Sequence, residues 1–144
     1  PHFVHFETVD AQIKKIIEIS NSNPEMSIGV LLPSNQKVIE VCEKLKLQDF
    51  DYEFKFKTEA QDTRAQSELH FTNNLPKVMT YHSAKGLQFD IVIIPMFDGA
   101  NNEETRKALY VAMTRTMHQL YLMYNTPNLA SPLDKVPPRL YKKN

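Results

Sequence analysis

Apolar residues fall in short runs at 3–6, 28–32, 78–80, 91–94 and 120–124, each of strand length, with polar or helically spaced sequence between them. After the first run, Val9, Ile13, Ile16 and Ile17 recur at helical spacing, with Asp10 near the start and Pro24 beyond the end. The run at 28–32 is apolar without a break, which predicts a strand covered on both faces in a parallel sheet. Pro33 ends it, and Ser34 is placed to cap a second helix whose buried stripe is Val38, Val41, Cys42 and Leu45. Residues 50–57 alternate strictly: Phe50, Tyr52, Phe54 and Phe56 on one side, Asp51, Glu53, Lys55 and Lys57 on the other. That predicts a half-buried strand near a sheet edge, its aromatic row packed in the core; base stacking is the less common use of such a row.

Residues 58–74 read as a polar connection with at most one short strand at 69–71. A last helix is expected from near Asn101, where Asn101 and Glu104 have capping-box spacing, to about Thr114, with a closing strand at 120–124. The order of elements predicts a doubly wound α/β domain over 1–126, with a mostly parallel sheet and helices on both faces. A tail at 127–144, with four prolines and a basic end, reads as loose or docked on a partner.

Composition narrows the function classes. At 144 residues, 42% hydrophobic and 24% charged, the chain is one domain with a core of its own. Lys plus Arg equals Asp plus Glu at 17 each, so any nucleic-acid contact has to be local rather than a long-range basic attraction. The lone cysteine, Cys42, excludes a disulfide framework and a cysteine-rich zinc site, and its apolar setting makes it a core residue. No apolar run is long enough to span a bilayer and no leader precedes the first strand, so a cytoplasmic location is expected. A start at Pro1 suggests a piece of something longer.

Chemistry concentrates at 77–95, KVMTYHSAKGLQFDIVIIP, where Tyr81, His82, Ser83, Lys85 and Gln88 crowd around Gly86 between two apolar strands. Gly86 either lets the backbone approach a ligand or simply makes a turn. A histidine in such a loop is, taken alone, more often solvated than bound.

The segment TYHSAKGLQFD followed by an apolar strand resembles motif V of the UvrD/Rep-like superfamily-one helicases. EETRKALYVAMTRTMHQLYL, at 103–122, resembles motif VI of the same family, in the right order and at the expected distance. The resemblance implies a RecA-like fold of the P-loop NTPase type, the C-terminal motor domain of an ATP-dependent DNA helicase or translocase. Such a domain closes on an N-terminal RecA-like motor domain of the same protein around ATP and Mg2+. By that resemblance Arg115 matches the arginine that stabilises the transferred phosphoryl group, and its other reading is a structural bridge to a carboxylate or helix end. Gln88 stands where relatives carry a ribose-contacting glutamate, and its amide can still donate and accept hydrogen bonds. Gly86, Gln88, Arg106 and Arg115 are then the nucleotide side. Thr80, His82, Ser83 and Lys85 match positions near single-stranded DNA, or RNA, where they would hold phosphate without reading sequence. Lys85 suits either a phosphate or an inter-domain carboxylate. Arg106 and Tyr110 share a helix face, although Tyr110 alone reads as core.

Departures from the family pattern matter as much. The glycines are Gly29, Gly86 and Gly99, so there is no GxxxxGK[ST] loop, and no acidic pair is placed to hold magnesium. Magnesium ligands are therefore expected outside this chain, and the isolated polypeptide is expected not to hydrolyse ATP. The large insertion many relatives carry before motif V is absent. Pro33 stands where relatives have a phosphate-reaching arginine after the strand, so Lys37 or Arg106 is expected to compensate. The competing reading is an interaction module, for nucleic acid or protein, that kept the helicase fold and lost the motor.

Overall fold

Each apolar run becomes a strand of one sheet. The computed structural model describes residues 2–55, 75–97, 106, 109–110, 112–125, 137–140 and 142–143. Its elements are β1 (His2–His5), α1 (Val9–Ser22), β2 (Ile28–Leu32), α2 (Asn35–Leu47), β3 (Glu53–Lys55), β4 (Lys77–Thr80), β5 (Phe89–Phe97), β6 (Thr116–Tyr124) and β7 (Lys142–Lys143). Helical backbone recurs at Arg106, Leu109, Tyr110, Ala112 and Met113, which mark a third helix between β5 and β6. The strands form one seven-stranded sheet in the order β3-β4-β2-β5-β6-β1-β7, and every pairing is parallel.

Local chemistry starts both helices. Thr8 Oγ1 accepts from the Ala11 N–H at 3.1 Å ahead of α1, and Ser34 Oγ accepts from Lys37 N–H at 3.3 Å ahead of α2. In α1 the buried positions are Gln12, Ile13, Ile16 and Ile19, while Val9 and Ile17 are half-buried. In α2 they are Val38, Val41, Cys42 and Leu45, as the periodicity predicts.

A parallel sheet covered on both sides needs two cores, and the pleat supplies them. On one face Ile28, Val30, Leu32, Val78, Ile91, Ile93 and Met123 meet the α1 and α2 stripes. On the other, Phe3, Leu31, Met79, Val92, Ile94, Leu120, Leu122 and Tyr124 meet Tyr81, Ala84 and the third helix through Leu109 and Ala112. The apolar runs are continuous because alternate residues serve different cores. Each such side chain is worth about 1.5–3 kcal/mol of burial, so the central strands dominate the stability of the fold.

Several boundaries move. β5 and β6 extend beyond their apolar runs because backbone pairing continues past them: it carries β6 into polar sequence at Thr116, opposite Phe89, and carries β5 on to Phe97, opposite Tyr124. The expected strand at 50–57 starts later, as β3 at the sheet edge, with Phe50, Tyr52 and Phe54 packed on the α1/α2 core. Glu53, assigned by alternation to the solvent side, is instead 6% exposed, and its carboxylate lies 3.6 Å from the equally buried Lys77 ammonium. Hydrophobicity alone reads such a residue as exposed; its partner on β4 neutralises it in place. Phe56, Lys57, the possible strand at 69–71 and the Asn101/Glu104 capping box lie outside the described residues. At the other edge Lys142 and Lys143 pair with His2 and Phe3, which attaches the end of the tail to the sheet. Tyr110 is corrected from core to surface: it is 70% exposed, and Leu109 and Ala112 take the core positions on that helix. Burial pushes the Cys42 thiol up to about 12, only partly opposed by a hydrogen bond with Tyr52, so it is a packing residue. No described helix is long and apolar enough to cross a membrane.

Candidate functional site

The chain leaves β4 at the carboxyl edge of the sheet and enters β5 at the opposite edge, so residues 81–88 must cross one sheet face. Three apolar side chains hold them there. Tyr81 and Ala84 are buried in the core and Leu87 packs against it, while His82, Lys85, Gly86 and Gln88 are exposed or half-exposed. Backbone bonds shape the crossing: Tyr81 N–H donates to Leu32 O at 2.8 Å, Ala84 N–H to Thr80 O at 3.1 Å and Leu87 N–H to Ala84 O at 2.9 Å. Gly86 takes φ +85°, a conformation glycine adopts freely, and a Cβ there would meet nothing within 4 Å.

At the carboxyl edge, Thr80, His82 and Ser83 line an open pocket with Pro33, Ser34 and Asn35, which brings the end of β4 together with the start of α2. Thr80 is buried and is used internally: its Oγ1 donates to Ser83 Oγ and accepts from Ser83 N–H, both at 3.0 Å. His82 and the half-buried Ser83 are the groups of this trio that reach the surface. Lys37 flanks the pocket from the first turn of α2, with its ammonium 3.6 Å from the Glu40 carboxylate and both side chains well exposed. The acidic neighbour and the solvent leave that pair weak.

Gln88 and Arg115 meet at the opposite edge. By strand register this is about 15–20 Å from Thr80, since Thr80 pairs with Leu32 while Asp90 lies beside Ser27. The link between them is Phe89, whose N–H donates to Arg115 O at 2.8 Å. Its ring is held in turn by Gly29: a Cβ at that position would sit 2.6 Å from Phe89 Cδ2. Asp90 closes the corner. Its Oδ2 accepts from Ser27 N–H at 2.9 Å and Ser27 Oγ at 3.2 Å, and its own N–H donates to Ser27 Oγ at 2.9 Å. Arg115 is half-buried, and its Nε is shielded from solvent with no hydrogen-bond partner among the described residues. No described carboxylate pairs with it. Arg106 is exposed and lies toward the start of the third helix, away from Arg115. The eight expected site residues therefore separate into Thr80, His82 and Ser83 at one edge, Gln88 and Arg115 at the other, Lys85 and Gly86 between them, and Arg106 apart.

Residues 77–123, which contain all eight expected site residues, match the model of the UvrD-like helicase C-terminal domain. Over that stretch the chain is similar to UvrD-like helicase C-terminal domains. Among curated proteins, the ATP-dependent DNA helicase Rep of Buchnera aphidicola (subspecies Schizaphis graminum) is 28% identical over 131 residues, which cover 81% of this chain and 18% of Rep. The RecBCD enzyme subunit RecB of Chlamydia pneumoniae is 41% identical over 54 residues, 35% of this chain and 5% of RecB. The chain thus spans less than a fifth of either relative. Of solved structures, the C-terminal domain of a possible DNA helicase from Lactobacillus plantarum WCFS1 aligns over 100% of this chain and 84% of its own, with a TM-score of 0.76 at 24% identity. The E. coli DEAD-box protein SrmB, solved bound to RraA, aligns over 85% of this chain and 75% of its own, with a TM-score of 0.55 at 13% identity. These two likenesses concern the fold.

Sequence reasoning passed over Phe89, Gly29 and the Ser27–Asp90 pair, which place the helicase-motif residues. The available signal was Gly29 itself: a glycine inside an apolar strand marks a close approach by something else. The two structural glycines should separate cleanly on substitution. Gly29→Val is expected to destabilise the domain by about 1–3 kcal/mol through displacement of the Phe89 ring. Gly86→Ala should cost about 1 kcal/mol from backbone conformation alone. Urea midpoints of the two variants check this, and a Gly29→Val midpoint at or above that of Gly86→Ala contradicts the seating of Phe89.

Proposed function

We propose that this domain is the C-terminal half of an ATP-driven motor on single-stranded DNA, one whose phosphate-cradling loop and magnesium ligands lie in an N-terminal motor domain of the same protein. Arg115 carries the reading. A guanidinium whose Nε is buried without a partner among the described residues is costly unless something arrives to use it. In phosphoryl transfer the charge that develops on the moving group is such a partner. Under this proposal Gln88 contacts the ribose, Gly86 lets the backbone come close, and Phe89 holds Gln88 and Arg115 in one unit through its bond to the Arg115 carbonyl. Domain closure would bring that unit onto ATP and Mg2+ held by the facing domain.

The carboxyl-edge pocket is the proposed nucleic-acid side. His82, Ser83 and the start of α2 offer hydrogen-bond donors to backbone phosphates, with Lys85 alongside. Thr80 acts there by shaping the turn that presents Ser83. Separation of the two sides across the sheet suits a motor, because closure at the nucleotide edge can then move the strand-holding edge. Pro33, standing where relatives have an arginine that reaches the terminal phosphate of the nucleotide, offers no N–H and no charge, so Lys37 or Arg106 is proposed to compensate for that missing cation. The fragment alone, having no phosphate loop in its sequence, is proposed not to hydrolyse ATP.

In the full-length protein, Arg115→Lys should lower single-turnover hydrolysis by roughly a thousandfold with a much smaller loss of nucleotide binding, since an ammonium cannot reproduce the planar fork. Hydrolysis within a few-fold of the parent would remove Arg115 from the chemistry. His82→Ala should weaken single-stranded DNA binding equally on all sequences and reduce the salt slope by up to about one unit. Unchanged binding at low salt, or a loss confined to some sequences, would contradict the phosphate-contact role.

A further inference from the structure

Gln12 is an anomaly in α1. It lies among Ile13, Ile16 and Ile19 on the buried stripe and is itself fully buried, where a polar side chain is unfavourable unless its hydrogen bonds are made. Only part of that demand is met: Oε1 accepts from the Met96 N–H at 2.7 Å, while Nε2 is buried with no partner among the described residues. The bond to Met96 is therefore what this glutamine provides. Met96 is one of two described non-glycine residues with positive φ, at +54°, and the pairing of β5 with β6 shifts register between Ile94 and Phe97. Together these define a bulge.

Its effect is visible in the packing. In a regular strand Ile94 and Phe97, three positions apart, would face opposite sides. Here both lie in the core that holds Leu109 and Ala112 of the third helix, while Met96 packs against the opposite core. The bulge is what delivers Phe97 to the side covered by the helix that leads to Arg115.

We propose that Gln12 is a positioning residue for Arg115: by holding the Met96 N–H it fixes the bulge, which seats Phe97 against the helix that sets the arginine. The kinetic consequence rests on the motor reading above, whereas the mechanical one does not, so the test reads both. Three variants of the full-length protein are compared. Gln12→Met keeps the volume and removes the acceptor; Gln12→Glu keeps an acceptor oxygen; Gln12→Met with Met96→Gly lets the bulge form without strain, since glycine adopts positive φ freely. Readouts are hydrogen exchange over residues 97 and 106–115, and DNA-stimulated ATP hydrolysis.

Gln12→Met is expected to speed exchange along the third helix and to lower kcat by about tenfold to a hundredfold with KM for ATP little changed, the scale of a small misplacement. Gln12→Glu should approach the parent as pH falls and its buried carboxyl is held neutral, and the double variant should recover both readouts. Unchanged exchange in Gln12→Met, or a folded double variant as slow as the single one, overturns the proposal. Should Gln12→Met fail to fold, a double variant that folds and turns over supports it, and one that also fails to fold overturns it. If exchange responds as expected but the parent shows no DNA-stimulated hydrolysis, the mechanical link stands and the motor reading falls.

Discussion

The bond from the Phe89 N–H to the Arg115 carbonyl is the interaction on which the arrangement of the site depends, because it joins the end of the 81–88 crossing to the start of β6. Everything around it limits where Phe89 can be. Gly29 leaves room for the ring, the sheet pairs Phe89 with Thr116, and Asp90 stitches the next residue to Ser27. Gln88 and Arg115, far apart in sequence, are thereby brought to one corner of the sheet.

The same logic governs the rest of the fold. Parallel strands with short, continuous apolar sequences can serve two cores only if the pleat is kept in phase, and β5 carries most of that demand with nine residues running between both faces. Where it departs from phase, at Met96, a buried amide on another element holds the departure in place. Buried polar groups among the described residues are few, and each fixes the position of a neighbouring element. Glu53 and Lys77 tie the edge strand to β4, Thr80 shapes the turn after β4, and Gln12 holds the bulge. Such groups contribute less to stability than to specifying one arrangement.

Much of this was legible in the chain. Continuous apolar runs at 28–32 and 91–94 announced a parallel sheet, Ser34 announced the start of α2, and two motifs announced the similarity to UvrD-like helicase C-terminal domains over 77–123. What escaped was non-local. Glu53 looked like a solvent residue because its partner is 24 positions away on another strand, and Gln12 looked unremarkable because its partner is 84 positions away. Tyr110 looked like core because an aromatic on a helix usually is, and only the orientation of that helix, set by Leu109 and Ala112, turns it outward. Nor could spacing show that Thr80, His82 and Ser83 lie at one edge of the sheet and Gln88 at the other, since all four fall within nine residues of sequence.

A single experiment reaches the central claim that Arg115 completes a nucleotide site held elsewhere in the protein. In full-length Arg115→Ala, single-turnover ATP hydrolysis on single-stranded DNA is measured with and without added guanidinium at non-denaturing concentration. A small cation that can enter the vacated position should restore part of a rate that has fallen by roughly a thousandfold, and equimolar ammonium should not. A folded Arg115→Ala protein that hydrolyses ATP at the parent rate, or one rescued equally by either ion, would contradict it.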